Sequence, residues 1–251
     1  MMPLGDLPGG SFASYAQNIS ADGRVIVGRS ESANGTEAFR WTQDGGMQPL
    51  GSLGGAPFLS FAYATSADGS VVVGWSRGPS GIEAFRWSAE EGMQGLGELE
   101  FGNYDSRAYA VSADGRLIGG FGTSDIGKEA VLWDPTNGMR RVKETLLSLG
   151  VSEVLNWRLE EVRALSADGT VIVGTGKNPD GNSEAWIAII PRTDRHLADV
   201  DLSGCVDDAD LLTVLFTFGE SGYFPPADLN YDTVVDDADL LMVLFSFGEG
   251  C

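Results

Sequence analysis

The chain holds one histidine, His196, and two cysteines, Cys205 and Cys251, among 251 residues. A zinc cluster needs more of both, and a Ser-His-Asp or Cys-His relay within residues 1 to 190 has no imidazole to use. Basic residues are scarce as well, with sixteen Lys and Arg against thirty-six Asp and Glu and a formal net charge of -20. That balance repels nucleic acid and anionic lipid and attracts cations. Long apolar runs are missing, which argues against membrane insertion. Met1 to Leu7 has neither the basic end nor the apolar core of an export signal. The shortage of positive charge is uneven: from Asp194 onward thirteen acids face one arginine.

What the chain does have is glycine, thirty-five of them, and 43% apolar residues, enough for a sizeable core in an all-β protein rich in turns. The tetrad S-A-D-G begins at Ser20, Ser66, Ser112 and Ser166, and matching glutamates follow at Glu37, Glu83, Glu129 and Glu184. Self-similarity near 46 residues means a propeller, a solenoid or an array. Before each tetrad an alternating segment (Tyr15 to Ile19, Phe61 to Thr65, Ala108 to Val111, Val162 to Leu165) predicts a first strand. Asp-Gly predicts a tight hairpin, since both residues tolerate positive φ. The apolar, β-branched second strand (Val25 to Val27 and its equivalents) belongs mid-sheet. In the third, Phe39, Phe85, Val131 and Trp186 share one register position, and Trp41, Trp87, Trp133 and Ala188 the next on that face. A Gly-Met turn leads to a fourth strand at L-G-S-L (Leu50) and L-G-E-L (Leu96).

Four antiparallel strands in about 46 residues make one propeller blade. The fold expected is mainly β: a four-bladed β-propeller-like domain over residues 1–190, followed by a small α-helical calcium-binding domain. Met2 to Leu7 aligns with Met47 to Leu53, while the fourth repeat stops after Ile190 without a fourth strand. The N-terminal segment is therefore expected to supply that strand and close the ring, which would remove both exposed edges. The alternative is that the chain belongs to a longer propeller. Arg141 to Leu149, with Gly150 as C-cap, predicts a helix inserted between blades three and four.

The motifs L-G-D-L-P-G-G-S-F, S-A-D-G-x-V-I-V-G and E-A-F-R-W resemble the HAF-type extracellular repeat of bacterial secreted and surface proteins over residues 1 to 190. The resemblance implies export and a propeller-like fold and supplies no catalytic residues. The fourth copy departs from it at Ile187 and Ala188.

Residues 191–197 read as a linker, and beyond it the period changes to 29, Asp207 to Gly219 being nearly repeated at Asp236 to Gly248. Each copy ends a calcium-loop pattern, with oxygen ligands at alternate positions and a carboxylate at position twelve entering a helix. Loop one offers Asp199, Asp201, Ser203, the Cys205 carbonyl, Asp207 and Asp210. Loop two offers Asp228, Asn230, Asp232, the Val234 carbonyl, Asp236 and Asp239. Ser203 stands where an acid is usual, and Thr233 where a glycine usually makes the sharp turn, which weakens site two. The other reading is of acidic turns that keep a helical hairpin soluble. Residues 198–251 resemble a type I dockerin, which implies two Ca2+ ions, a cohesin-like partner and two docking orientations, with Asp208-Ala209 and Asp237-Ala238 as equivalent contact pairs. Cys205 and Cys251 are read as a disulfide in this small module, the alternative being two free thiols. Its helices are expected over Leu211 to Phe218 and Leu240 to Phe247, apolar nearly all round.

The repeated acids sit at turns and strand starts in every copy, which suits structural work better than catalysis. The function expected is that of an exported, non-catalytic attachment protein. Its propeller would meet a glycan, wall or protein surface, and its C-terminal module would dock to a cohesin-like protein or cell-surface scaffold. The alternative is a polysaccharide-degrading enzyme, which would need a non-repeated acidic pair.

Overall fold

The computed structural model describes residues 1–100, 102, 104–190, 198–200, 206–221, 227–229 and 234–249. The chain forms two compact units, Met1–Ile190 and Pro191–Cys251. The first is mainly β, four antiparallel sheets in the order of the repeats: β1 to β4 (Gly9–Ile19, Val25–Ser32, Gly35–Thr42, Gly46–Pro49), β5 to β8 (Ser60–Thr65, Val71–Arg77, Ile82–Ser88, Gly92–Gly95), β9 to β12 (Ser106–Val111, Ile118–Ser124, Gly127–Asp134, Gly138–Arg141) and β13 to β15 (Arg158–Leu165, Val171–Lys177, Ser183–Ile189). Successive blades pack face to face through mixed clusters. Val25, Val27 and Ala38 meet Ala62, Val72 and Phe85. Further on, Val71 and Val73 meet Ala108, Val131 and Trp133.

Each S-A-D-G tetrad closes the hairpin between first and second strands, with one difference from expectation. Only the glycines, Gly23, Gly69, Gly115 and Gly169, take positive φ, between 70° and 75°. The aspartate acts through its side chain: Asp22 Oδ1 accepts from Ser20 Oγ (2.6 Å) and Arg24 N (2.9 Å), while Ser20 Oγ accepts from Val25 N (2.9 Å). The triangle recurs at Ser66, Ser112 and Ser166 with Asp68, Asp114 and Asp168. The Ser20 hydroxyl holds Asp22 below the usual carboxylate range. Burial pushes Asp68 up, but hydrogen bonds from Ser66 and Ser70 outweigh it and leave the pKa lowered. The tetrads also join blade to blade, Ala21 N donating to Ala67 O, Ala67 N to Ala113 O and Ala113 N to Ala167 O at 2.7–3.0 Å.

The fourth strands end earlier than expected, and L-G-x-L is the connector that follows them. Gly51 N donates to Glu37 Oε1 (3.2 Å) on the blade being left, and Leu53 N donates to Ser76 Oγ (3.0 Å) on the blade being entered. This connector explains a second difference. The expected pairing of Met2 to Leu7 with the last blade is not made: residues 1–7 form no strand, and the fourth sheet has three. Leu7 N instead donates to Ser30 Oγ (3.0 Å), Ser14 Oγ donates to Gly5 O (2.6 Å), and Leu4 and Leu7 cover Phe39, Trp41 and Met47. The segment is a connector by sequence and docks as one, so its apolar side chains are spent on the first blade. Val173, Ile187 and Ile189 of the last blade stay exposed.

The inserted helix is α1, Val142–Ser148, with Gly150 at φ 84° just beyond it and a 3-10 turn at Ser152–Asn156. Val142, Leu146 and Val154 extend the core between blades three and four.

The second unit carries α2, Asp208–Phe216, and α3, Asp237–Phe245. Both begin earlier than the apolar pattern implied, because Asp207 and Asp236 are N-caps. Ala209 N donates to Asp207 Oδ1 and Asp207 N donates to Asp210 Oδ2 (2.8 and 2.9 Å), with the same pair at Ala238, Asp236 and Asp239. The core pairs residues 29 apart: Ala198 with Ala227, Val200 with Leu229, Val206 with Val235 and Val214 with Val243. Gly248 N donates to Val206 O and Gly219 N to Val235 O, both at 2.8 Å, so the two copies exchange equivalent bonds in an approximate twofold.

Candidate functional site

In every blade the first strand is bulged. The register slips at Gln17, Tyr63, Tyr109 and Arg163, one residue per copy at the same repeat position. Opposite each bulge lies a glycine of the second strand, Gly28, Gly74, Gly120 or Gly174, where a Cβ would run into the carbonyl oxygen of Tyr15, Phe61, Arg107 or Glu161. Glycine thus admits the bulge, and the bulge re-aims the side chains around it.

Those side chains differ from copy to copy and meet across blades. Arg29 lies over the Tyr15 ring (4.5 Å to the centroid) and the Phe61 ring (4.9 Å). Phe61 stacks on Trp75 at 4.3 Å, and Arg107 lies over Trp75 (4.8 Å) and Phe121 (5.8 Å). Lys128 lies over Phe121 (4.3 Å) and 4.0 Å from Glu161, whose other oxygen accepts from Arg163 (2.5 Å) and Thr175 (3.0 Å). The bulge residues form a second row, Tyr63 edge-on to Tyr109 at 5.3 Å with Arg163 over Tyr109. Each cation–π contact contributes about 0.5–2 kcal/mol, depending on its exposure. Burial works against the Arg107 guanidinium and the Asp105 carboxylate beside it outweighs that, keeping it charged; burial also raises the Tyr109 phenol. Four cations against Asp105 and Glu161 make this row electropositive in a strongly acidic chain. The sequence reading missed it, yet a signal was there: these positions vary while their neighbours repeat.

The repeated glutamates are structural here. Glu37 and Glu83 accept from Gly51 N and Gly97 N, and Glu129 accepts from Arg141 Nε (3.1 Å). Glu98 stands apart, pushed up to about 7, chiefly by burial and further by the charges of Glu83 and Asp105.

The two loops expected to hold calcium are described in part. Asp199, Asp207 and Asp210 of loop one and Asp228, Val234, Asp236 and Asp239 of loop two are placed, whereas Asp201, Ser203, Cys205, Asn230 and Asp232 lie outside the described residues, as does the Cys205–Cys251 pair. Among the described residues no group of three or more acids, cysteines or histidines is gathered as a metal cluster. The carboxylates nevertheless fit a hard cation. Asp199, Asp210, Asp228 and Asp239 are 6%, 0%, 4% and 0% exposed, and no lysine or arginine is described in this unit. Asp210 accepts Val200 N (2.6 Å) as well as Asp207 N (2.9 Å), so a single carboxylate ties the start of loop one to the start of α2. Asp208, Ala209, Asp237 and Ala238 are exposed in the first turns of α2 and α3. Phe216 and Phe245, 83% and 84% exposed, head matching apolar faces with Leu212, Leu215, Leu241 and Leu244.

No protein-family model and no curated relative matches the chain. Among solved structures it is similar to TolB from Acinetobacter baumannii, with 16% identity, a TM-score of 0.49 and coverage of 71% of this chain and 41% of that one. A TolB of Agrobacterium tumefaciens is 17% identical, with a TM-score of 0.49 and coverage of 72% and 62%. A prolyl endopeptidase is 13% identical, with a TM-score of 0.47 and coverage of 73% and 28%. The chain spans less than two thirds of each of these structures.

Proposed function

We propose that this chain is an exported attachment protein. Its repeat unit recognises a ligand through the row of cations and rings, and its C-terminal unit docks through calcium to a cohesin-like partner. The observation that carries this reading is the division of labour in the repeats: residues that recur hold turns and blade junctions, and those that vary converge on one electropositive, aromatic row. In the C-terminal unit Asp199, Asp201, Ser203, the Cys205 carbonyl, Asp207 and Asp210 would hold one Ca2+, and Asp228, Asn230, Asp232, the Val234 carbonyl, Asp236 and Asp239 the other. Bound calcium would neutralise crowded carboxylates and so couple binding to folding. The disulfide between Cys205 and Cys251 belongs to the same reading. Two equivalent helix starts, each beside an exposed apolar face, suit docking in either of two orientations.

The test is capture of the intact chain by an immobilised cohesin, with calcium and with chelator. Calcium-dependent capture, lost in Asp199→Ala with Asp210→Ala, supports the docking role; capture indifferent to calcium removes it. Glu98 favours a second reading, a polysaccharide-degrading enzyme, because a carboxyl group near neutral pKa suits general acid work. Its acidic neighbours are committed, Glu83 to Gly97 N and Asp105 to Arg107. Turnover of a polysaccharide that vanishes in Glu98→Gln would establish the enzyme instead.

A further inference from the structure

We propose that Arg29 anchors a carboxylate-bearing saccharide, an inference that rests on the reading of the varying row as a recognition surface. Two guanidinium groups in the row each lie over two rings, and their N–H edges differ. Asp105 takes the edge of Arg107 in a bidentate pair, at 2.9 and 3.2 Å. Arg29 has no carboxylate within ion-pair distance among the described residues, although acids outnumber bases more than two to one in the chain. In blade two the position equivalent to Asp105 is Leu59, which cannot serve. A guanidinium packed over two rings loses little further freedom on binding, and its donors lie in one plane. That planar fork matches a carboxylate better than a tetrahedral sulfate. The Arg107–Asp105 pair is the internal example of the complex that Arg29 leaves to an outside ligand.

The surroundings point to a sugar. Tyr15 is 51% exposed beside Arg29, and Gln17 and Asn18 on the same strand are exposed. An aromatic ring offers a face to the C–H side of a pyranose, and side-chain amides both donate to and accept from hydroxyls. A peptide added as a strand would need a regular edge. The first strand is broken by register shifts between Gly9 and Ser14 and between Ala16 and Asn18, so it is a poor template for one.

The experiment is titration calorimetry of the intact chain in calcium with a panel of glucuronate- and galacturonate-containing oligosaccharides, their carboxyl-reduced counterparts, dextran sulfate and a peptide with a free C-terminal carboxylate. Binding of an acidic oligosaccharide that weakens tenfold or more on carboxyl reduction, and likewise in Arg29→Gln, supports the anchor. Arg29→Lys, which keeps the charge and much of the packing but loses the fork, should bind at least threefold more weakly than the parent. It carries the test if Arg29→Gln does not fold. Arg24→Gln, a charge-matched change at an exposed turn, should bind like the parent. Equal binding of reduced and acidic sugars, indifference to both Arg29 variants, or preference for dextran sulfate or the peptide would overturn the anchor. Neutral sugars bound without need of Arg29 would leave the recognition surface standing and remove the anchor alone. A chain that binds no saccharide in the panel overturns the anchor together with the saccharide reading, while cohesin capture still tests the docking role separately.

Discussion

A single serine shows how much of this protein rests on short hydrogen bonds. Ser66 is buried, donates to Asp68 and accepts Val71 N, so Ser66→Ala strands a buried amide at a blade's turn. The loss should be about 1–3 kcal/mol, and at about 2–4 °C per kcal/mol for a unit of this size a thermal melt can read it. An unchanged melting temperature would mean that the triangle is dispensable. Glu98 behaves in the opposite sense. Its folded pKa, about 7, lies above the ordinary carboxylate value of 4.5, so the native state holds the proton more tightly than the unfolded state does. Stability should therefore fall as pH rises from about 4.5 to 7 and stay low above it. Glu98→Gln should raise the melting temperature at pH 8 and leave it nearly unchanged at pH 4.5. Glu98 Oε1 accepts from Ser106 Oγ (3.2 Å), so a variant less stable at both values would show that this bond outweighs the desolvation of the carboxylate.

At the scale of elements, the connectors do what the strands cannot. L-G-x-L ties the end of one blade to the second strand of the next, and Leu4 to Leu7 repeats those bonds at the start of the chain. Removing residues 1–7 should uncover Phe39 and Trp41, raising binding of an apolar dye and lowering the melting temperature of the repeat unit. Deletion without either change would show that the first blade needs no cover. The bulges are the other such device. The extra residue at the same position of each first strand, admitted by one glycine across the ladder, brings Tyr63, Tyr109 and Arg163 into the second row.

For the molecule as a whole, two compact units with separate cores should melt separately. In calorimetry a chelator should lower the transition of the C-terminal unit and leave that of the repeat unit in place, because the proposed calcium ligands all lie in the former. A single transition, or one indifferent to calcium, would contradict the coupling of metal to that unit's folding. The charge follows the same division, twelve of the twenty net negative charges lying beyond residue 193. The repeat unit is thereby free to carry an electropositive row.

The sequence alone determined the four sheets, the inserted helix and the 29-residue duplication, because each follows from local pattern. Alternating apolar residues, Asp-Gly turns and a capping aspartate act on their near neighbours whatever the rest of the chain does. Tertiary structure decided two things. One was where Met2 to Leu7 would go: its match to Met47 to Leu53 was legible and read as a fourth strand, but the segment is a connector whose partner was chosen by which apolar face lay within reach, and that face was Phe39 and Trp41. The other was the row from Tyr15 to Arg163. Its contacting rings and cations sit from 7 residues (Phe121 and Lys128) to 54 residues (Tyr109 and Arg163) apart, and nothing in any one copy marks them. They became a site only when bulged strands of neighbouring blades were laid side by side, since stacking of rings and guanidinium groups acts over about 4–6 Å and sequence distance does not enter it.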